Sequence, residues 1–232
     1  MAKKKKQQDV ISPVDNVDQT LSRAEQYVEG NWNKILYVIG IAGALIAAYF
    51  GYQKYMVEPA EQEAQIAMYE AQQYFEQDSL TQALNGAGGN LGFLDIADEF
   101  GGTAAGNLAN YYAGVCYLQL GDYSNAIAYL DDYSGNDGVF NVLAKKAIGD
   151  AFHELNQTED ALDYYTKAAN AKGNEFSTPI ALEKAAQTAE MLNKWDKALG
   201  FYQRLKNEFP DARQSKDVDK FIAYCEAKVA NS

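Results

Sequence analysis

The most restrictive feature of this 232-residue chain is a run of eighteen uncharged residues, ILYVIGIAGALIAAYFGY, from Ile35 to Tyr52. Wound into a helix it rises about 27 Å, close to the hydrocarbon thickness of a bilayer. Lys34 and Lys54 bracket it, and Trp32, Tyr37, Tyr49, Tyr52 and Tyr55 stand where interfacial aromatics settle. The competing reading is a buried core helix, but such helices are seldom apolar on every side. The run predicts a transmembrane helix over 34–55. A cleaved secretory signal fits poorly, because 34 residues precede the run and no A-x-A site follows it. No cysteine lies near its end, which excludes a lipoprotein anchor.

Charge divides the chain at the same place. Residues 1–54 hold seven Lys or Arg against five Asp or Glu, a net of +2, whereas residues 55–232 hold 13 against 27, a net of −14. So acidic a domain repels a phosphate backbone, which argues against nucleic-acid binding. Lys3, Lys4, Lys5 and Lys6, with Arg23 and Lys34, precede the run, and Lys54 alone follows closely. This bias predicts a cytoplasmic tail over 1–33 and a C-terminal domain on the opposite side, the periplasm in a bacterium. Within the tail, Val17, Leu21, Ala24 and Val28 recur at helical spacing and predict a short amphipathic helix. Inside the run, Gly40, Ala44 and Ala48 form one row of small residues, and Gly43, Ala47 and Gly51 the next. Such rows let two membrane helices approach closely, although Gly and Ala are also simply common in these helices.

Beyond the run the informative signal is a period. The string YYAGVCYLQLGDYSNAIAYL places Ala113-Gly114, Tyr117, Gly121, Tyr123, Ala126 and Leu130 in order. KKAIGDAFHELNQTEDALDYYTKA repeats the pattern with Ile148-Gly149, Phe152, Ala161, Tyr165 and Ala168. A third copy holds Ala185-Ala186, Trp195, Ala198 and Tyr202. Ala126, Ala161 and Ala198 are 35 and 37 residues apart. A small residue at Gly114, Gly149 and Ala186 suits a close crossing of two helices, with aromatics filling the wider gaps.

A degenerate fourth unit is expected earlier, around Ala71, Tyr74 and Ala83, interrupted by NGAGGNLGF before Leu94 to Ala97 resumes a helix. No strand precedes those glycines, so they predict a flexible loop rather than a dinucleotide site. Residues 58–78 read as one helix that follows the apolar run with little linker. Val218, Phe221, Ile222 and Cys225 predict a closing amphipathic helix.

This pattern resembles the tetratricopeptide repeat family, except that the tryptophan often seen early in the repeat is absent, which leaves the register open by a residue or so. The expected fold is therefore all-α: a single N-terminal transmembrane helix followed by a tetratricopeptide-type solenoid over 56–232 with a capping C-terminal helix. Solenoids bind through a concave groove lined by the first helix of each repeat. Helical spacing nominates Leu108, Tyr111, Val115 and Leu118, then Lys146, Asp150 and His153, then Glu183, Gln187 and Glu190. Leu108 and Val115 read equally well as packing residues. The carboxylate-clamp pattern of some co-chaperones is not carried over, because Asp150 stands where it wants Asn.

Nothing in the chain spells out catalysis. The one histidine, His153, has no cysteine or second histidine in range for a metal, and no phosphate loop or nucleophile elbow is present. No enzyme activity and no cofactor are expected. Cys116 and Cys225 read as two small buried hydrophobes, with a single long-range disulfide the alternative in an oxidising compartment.

Over nearly its whole length the order of parts resembles the YfgM-like family of bacterial inner-membrane tetratricopeptide proteins: basic tail, amphipathic helix, NWNK, span, GYQKY, repeats. The resemblance implies an ancillary subunit of the Sec translocon that works beside a membrane-anchored periplasmic chaperone and emerging client polypeptides. Two other functions fit the same parts: an envelope scaffold for cell division or outer-membrane assembly, and a cytosol-facing docking receptor.

Overall fold

The computed structural model describes residues 13–135 and 138–231, without a strand among them beyond an isolated bridge from Ala87 to Asn90. Two compact units result, Met1–Met56 and Val57–Ser232. Lys3 to Lys6 lie outside the described residues, as do the side chains of Val17, Leu21 and Ala24.

The first unit is built on α1 (Pro13–Tyr52), which breaks at Asn31, where φ is −121° and ψ 15°. The helix predicted before the apolar run and the run itself are thus separate helical pieces, with Lys34 Nζ donating to Asn31 Oδ1 at 3.3 Å. No residue of the apolar window is buried against protein. Tyr37, Leu45 and Phe50 are all well over half exposed. This helix is long and apolar enough to cross a membrane. A five-residue π-helical turn, Gln53–Val57, follows it.

The second unit is a stack of helical hairpins: α2 (Glu58–Glu76), α3 (Leu80–Asn85), α4 (Phe93–Glu99), α5 (Ala104–Leu120), α6 (Tyr123–Asp132), α7 (Phe140–Glu154), α8 (Thr158–Asn170), α9 (Ser177–Met191), α10 (Trp195–Glu208) and α11 (Val218–Val229). Each first helix ends in the same corner. Asp78, Gly121, Asn156 and Asn193 adopt left-handed backbone with φ between 56° and 79°. The next N–H then reaches back across the turn: Ser79 to Tyr74, Asp122 to Tyr117, Gln157 to Phe152 and Lys194 to Ala189, all at 2.8–2.9 Å. These are Schellman closures, and Gly, Asn and Asp enter the left-handed region at least cost.

The corner at Asp78 marks the degenerate unit as a repeat whose second helix is split into α3 and α4. The glycines between those pieces make a tight turn instead of the expected flexible loop. A Cβ on Gly86 would lie 2.1 Å from the Asn90 carbonyl oxygen, and one on Gly92 would lie 2.2 Å from that of Leu84. The Asn90 N–H closes the turn on Ala87 O at 3.0 Å. Gly86 and Gly92 serve close backbone approach, while Gly88 and Gly89 supply the positive φ of the turn between them.

Small residues also sit where the hairpins cross. A Cβ on Gly149 would meet the Tyr165 ring at 2.6 Å, and one on Gly114 would meet Leu130 Cγ at 2.5 Å. Ala126, Ala161 and Ala198 are fully buried on the facing helices. Second helices then cover the first helices that follow them, α4 on α5, α6 on α7 and α8 on α9, with α10 covered by α11. Loops are tied to the helices: Asn107 Oδ1 on α5 accepts from the Ser134 N–H just past α6 at 2.9 Å, and Ser177 Oγ on α9 donates to Gly138 O before α7 at 2.7 Å, which joins neighbouring repeats.

Candidate functional site

Successive first helices touch, α2 with α5, α5 with α7 and α7 with α9, while α6, α8 and α10 make no comparable contact with one another. In a curved stack the layer whose members approach more closely lies on the inside of the curve. The first-helix layer is therefore the concave side, where the nominated residues were expected.

At its N-terminal end this surface has a shallow depression between α2 and α5, walled by Glu61, Gln65, Met68, Gln72, Ala104 and Leu108. Glu61 also accepts from the Ala105 N–H at 3.2 Å, which places a carboxylate on the free amides that open α5. Leu108 is half-buried and packs on the core, so it serves both packing and surface. Tyr111, Val115 and Leu118 are half-buried against the next cluster, around Ala144 and Ile148. Tyr111 lies edge-on to Phe140 at 4.9 Å and to Tyr133 at 5.8 Å, and Tyr112 stacks on Phe93 at 5.1 Å. An aromatic band thus runs from α4 across α5 to the start of α7.

Further along, the surface turns polar. Asp150 forms an ion pair with Lys146 one turn earlier, stands 3.5 Å from Lys184 Nζ on α9, and accepts the Tyr165 hydroxyl at 2.7 Å. Burial, then the charge of Asp150 and its hydrogen bond, push the Tyr165 phenol far above its ordinary range. One carboxylate therefore joins α7, α8 and α9. Spacing along one helix nominated Glu183, and the basic residue beside it, Lys184, is the one that meets Asp150. The clue was a lone Lys on the first helix of the next repeat, opposite an acidic position.

Two nominated residues face elsewhere. His153 is half-buried, and its Nδ1 is enclosed without a hydrogen-bond partner. Glu190 turns toward α10 and α11, accepting from the Tyr202 hydroxyl and from the Cys225 thiol at 4.0 Å. Gln187 remains exposed on α9. The small-residue rows of α1 are open: a Cβ added at Gly40, Gly43 or Gly51 meets nothing within 4 Å.

Cys116 and Cys225 are free thiols in separate core clusters, the reading as buried hydrophobes rather than a disulfide. Burial pushes the Cys116 thiol up to about 12, and burial with the charge of Glu190 pushes Cys225 to about 11. Among the described residues no three His, Cys, Asp or Glu side chains gather as a metal site.

A tetratricopeptide repeat family model matches residues 108–136 and 181–212. Over those two stretches the chain is similar to the tetratricopeptide repeat. Both matches begin within a first helix and run past the following second helix, so they frame α5–α6 and α9–α10. The α7–α8 hairpin between them shares the corner geometry. Among solved structures, the fold is similar to a Podosopora anserina putative kinesin light chain with nearly identical TPR-like repeats. That likeness has a TM-score of 0.54 at 9% identity and covers 76% of this chain and 90% of the other. At such identity it speaks for the fold alone. No curated protein matches the chain. Repeat scaffolds of this kind present extended concave surfaces on which other proteins bind.

Proposed function

We propose that this chain is a single-pass adaptor of the bacterial inner membrane, its tail cytoplasmic and its tetratricopeptide domain periplasmic. It associates there with the Sec translocon and a membrane-anchored chaperone, and passes emerging polypeptides along its concave surface. The observation that carries the reading is the conjunction of two surfaces on one chain. One is an apolar helix with no protein packed on it. The other is a first-helix layer that begins aromatic at Tyr111 and Phe140 and ends polar at Lys146, Asp150 and Lys184. The aromatic part suits apolar segments of an unfolded chain, and the polar part suits its exposed amides. The named partners rest on the resemblance in the order of parts.

Affinity purification in mild detergent tests the partners: channel subunits co-purify with the full chain. Recovery of soluble partners alone overturns the translocon assignment. Protease added to spheroplasts tests the sidedness, since a periplasmic domain is digested and a cytosolic one survives.

A further inference from the structure

Counting back from the left-handed corner of each repeat compares equivalent positions along the stack. Twelve residues before Gly121, Asn156 and Asn193 stand Ala109, Ala144 and Ala181, which are 0%, 3% and 0% exposed. Each is covered by the second helix of the preceding repeat. Twelve residues before Asp78 stands Ile66, and it is 71% exposed. Tyr69, one turn on, is 61% exposed, whereas its equivalent Tyr112 is stacked on Phe93.

The seam that closes every later junction is therefore open on α2, and it carries larger apolar side chains than the alanines used inside the stack. A terminal repeat that faces only water requires a polar outer face. Instead Gln62, Ile66 and Tyr69 form an apolar-centred strip at helical spacing, on the side of α2 away from buried Ala64, Met68 and Ala71.

Charge says what covers it. Glu63 and Glu70 flank the strip at helical spacing, Glu61 is engaged with α5, and α2 has no Lys or Arg. Two copies pairing through α2 bring glutamates against glutamates, and an anionic lipid surface repels them likewise. We infer that the outer face of α2 docks a basic amphipathic helix of another protein, seated where a preceding second helix would stack. This surface adjoins the concave one along Gln65 but is centred on Ile66 and Tyr69, so it gives the chain a second attachment.

The full chain in detergent micelles is titrated against a fluorescein-labelled synthetic peptide of about twenty residues, long enough for roughly five helical turns. The peptide carries Leu at heptad a and d positions and Lys on its flanks. A counterpart carries Glu in place of Lys. Anisotropy reports binding of the Lys peptide that weakens at least tenfold in Ile66→Asp and in Tyr69→Ser and falls with added salt. Gln187→Asp, at an exposed position of α9 far from α2 in the stack, leaves it within twofold. Ile66 and Tyr69 are exposed, so these variants fold, and circular dichroism verifies it. A photo-crosslinker replacing Gln62 captures the peptide, while one replacing Phe176 does not. The inference is overturned by binding unchanged in Ile66→Asp, by equal binding of the Glu peptide, or by sedimentation in which Ile66→Asp dissolves a self-association of the chain. Loss in Gln187→Asp alone also overturns it, while leaving the concave-surface reading intact.

Discussion

Two helical stretches of this protein are nearly equal in length and equally free of charge, yet they meet opposite fates. The apolar run of α1 spans Ile35 to Tyr52, and α5 spans Ala104 to Leu120, and neither contains Asp, Glu, Lys or Arg. In α5 six residues are buried, from Ala105 to Cys116, with five helices packed around it: α2, α3, α4, α6 and α7. In α1 the large side chains stay exposed, Tyr37 at 74% and Val38 at 66%. The contrast separates two meanings of an uncharged helix. α5 alternates small residues with aromatics, so that other helices reach its backbone. Its start is capped by Thr103, whose Oγ1 accepts from the Gly106 N–H at 2.9 Å. α1 presents Leu, Ile, Val and Phe on the face opposite its small-residue rows, and no protein is packed against them.

A charge placed in each helix breaks this comparison most sharply. Ala113→Arg puts a cation where the native side chain is fully buried, and it is expected to cost more than about 4 kcal/mol and unfold the repeat unit. Thermal denaturation followed by circular dichroism checks this, and a native melting temperature would remove α5 from the core. Ala44→Arg leaves that melting curve unchanged but weakens membrane insertion by about 2.5–3.5 kcal/mol. The readout there is a larger fraction released by alkaline carbonate.

Glycine gives the next contrast. Gly149→Val drives a side chain into the Tyr165 ring, at an expected cost of about 1–3 kcal/mol. Gly40→Val in α1 meets open space and leaves the unfolding midpoint where it was. Equal midpoints for the two variants would show that the α7–α8 crossing is not tight.

Alkaline pH sharpens the picture from another side. Cys116 keeps its proton in the fold up to about pH 12, against an ordinary thiol value of 9.0. The unfolded chain therefore gives up that proton first. Its contribution to stability is complete below pH 9 and is lost as pH rises toward 12. Melting temperature falls across that window, and Cys116→Ala flattens part of the slope. At pH 8 the thiol of the folded chain resists a disulfide reagent that labels it in denaturant.

The smallest expected effect concerns two asparagines. Asn193→Ala forces a Cβ-bearing residue without a local polar partner to hold φ near 56°, at about 1 kcal/mol, read as a lower denaturant midpoint. Asn31→Ala costs nothing comparable, because Asn31 breaks its helix at φ −121°, outside the left-handed region.

Much of this architecture is legible in the sequence because it depends on neighbours along the chain. The apolar run is visible as an absence of charge, and the hairpins as Ala126, Ala161 and Ala198 at near-constant spacing. The closing helix declares itself through Val218 and Cys225, which are both buried. What was not legible depends on neighbours in space. Lys184 finds Asp150 only because α9 lies against α7. Glu190, one helical face by spacing, is drawn away by Tyr202 and Cys225 on two later helices. The split of the first repeat's second helix was visible as glycines, but their tightness is a matter of carbonyl oxygens that no spacing rule reports.

The recurring corner has a consequence for how such a chain changes over time. It is closed by main-chain groups, which every sequence supplies, and asks for a specific residue at one site per unit. Side chains between corners are free to be rewritten without altering the outline of the molecule. Units of unequal length, even one with a seven-residue detour through Gly86 to Gly92, still turn through the same left-handed corner. The frame is inherited in the peptide bond, and the recognition surface is left to vary.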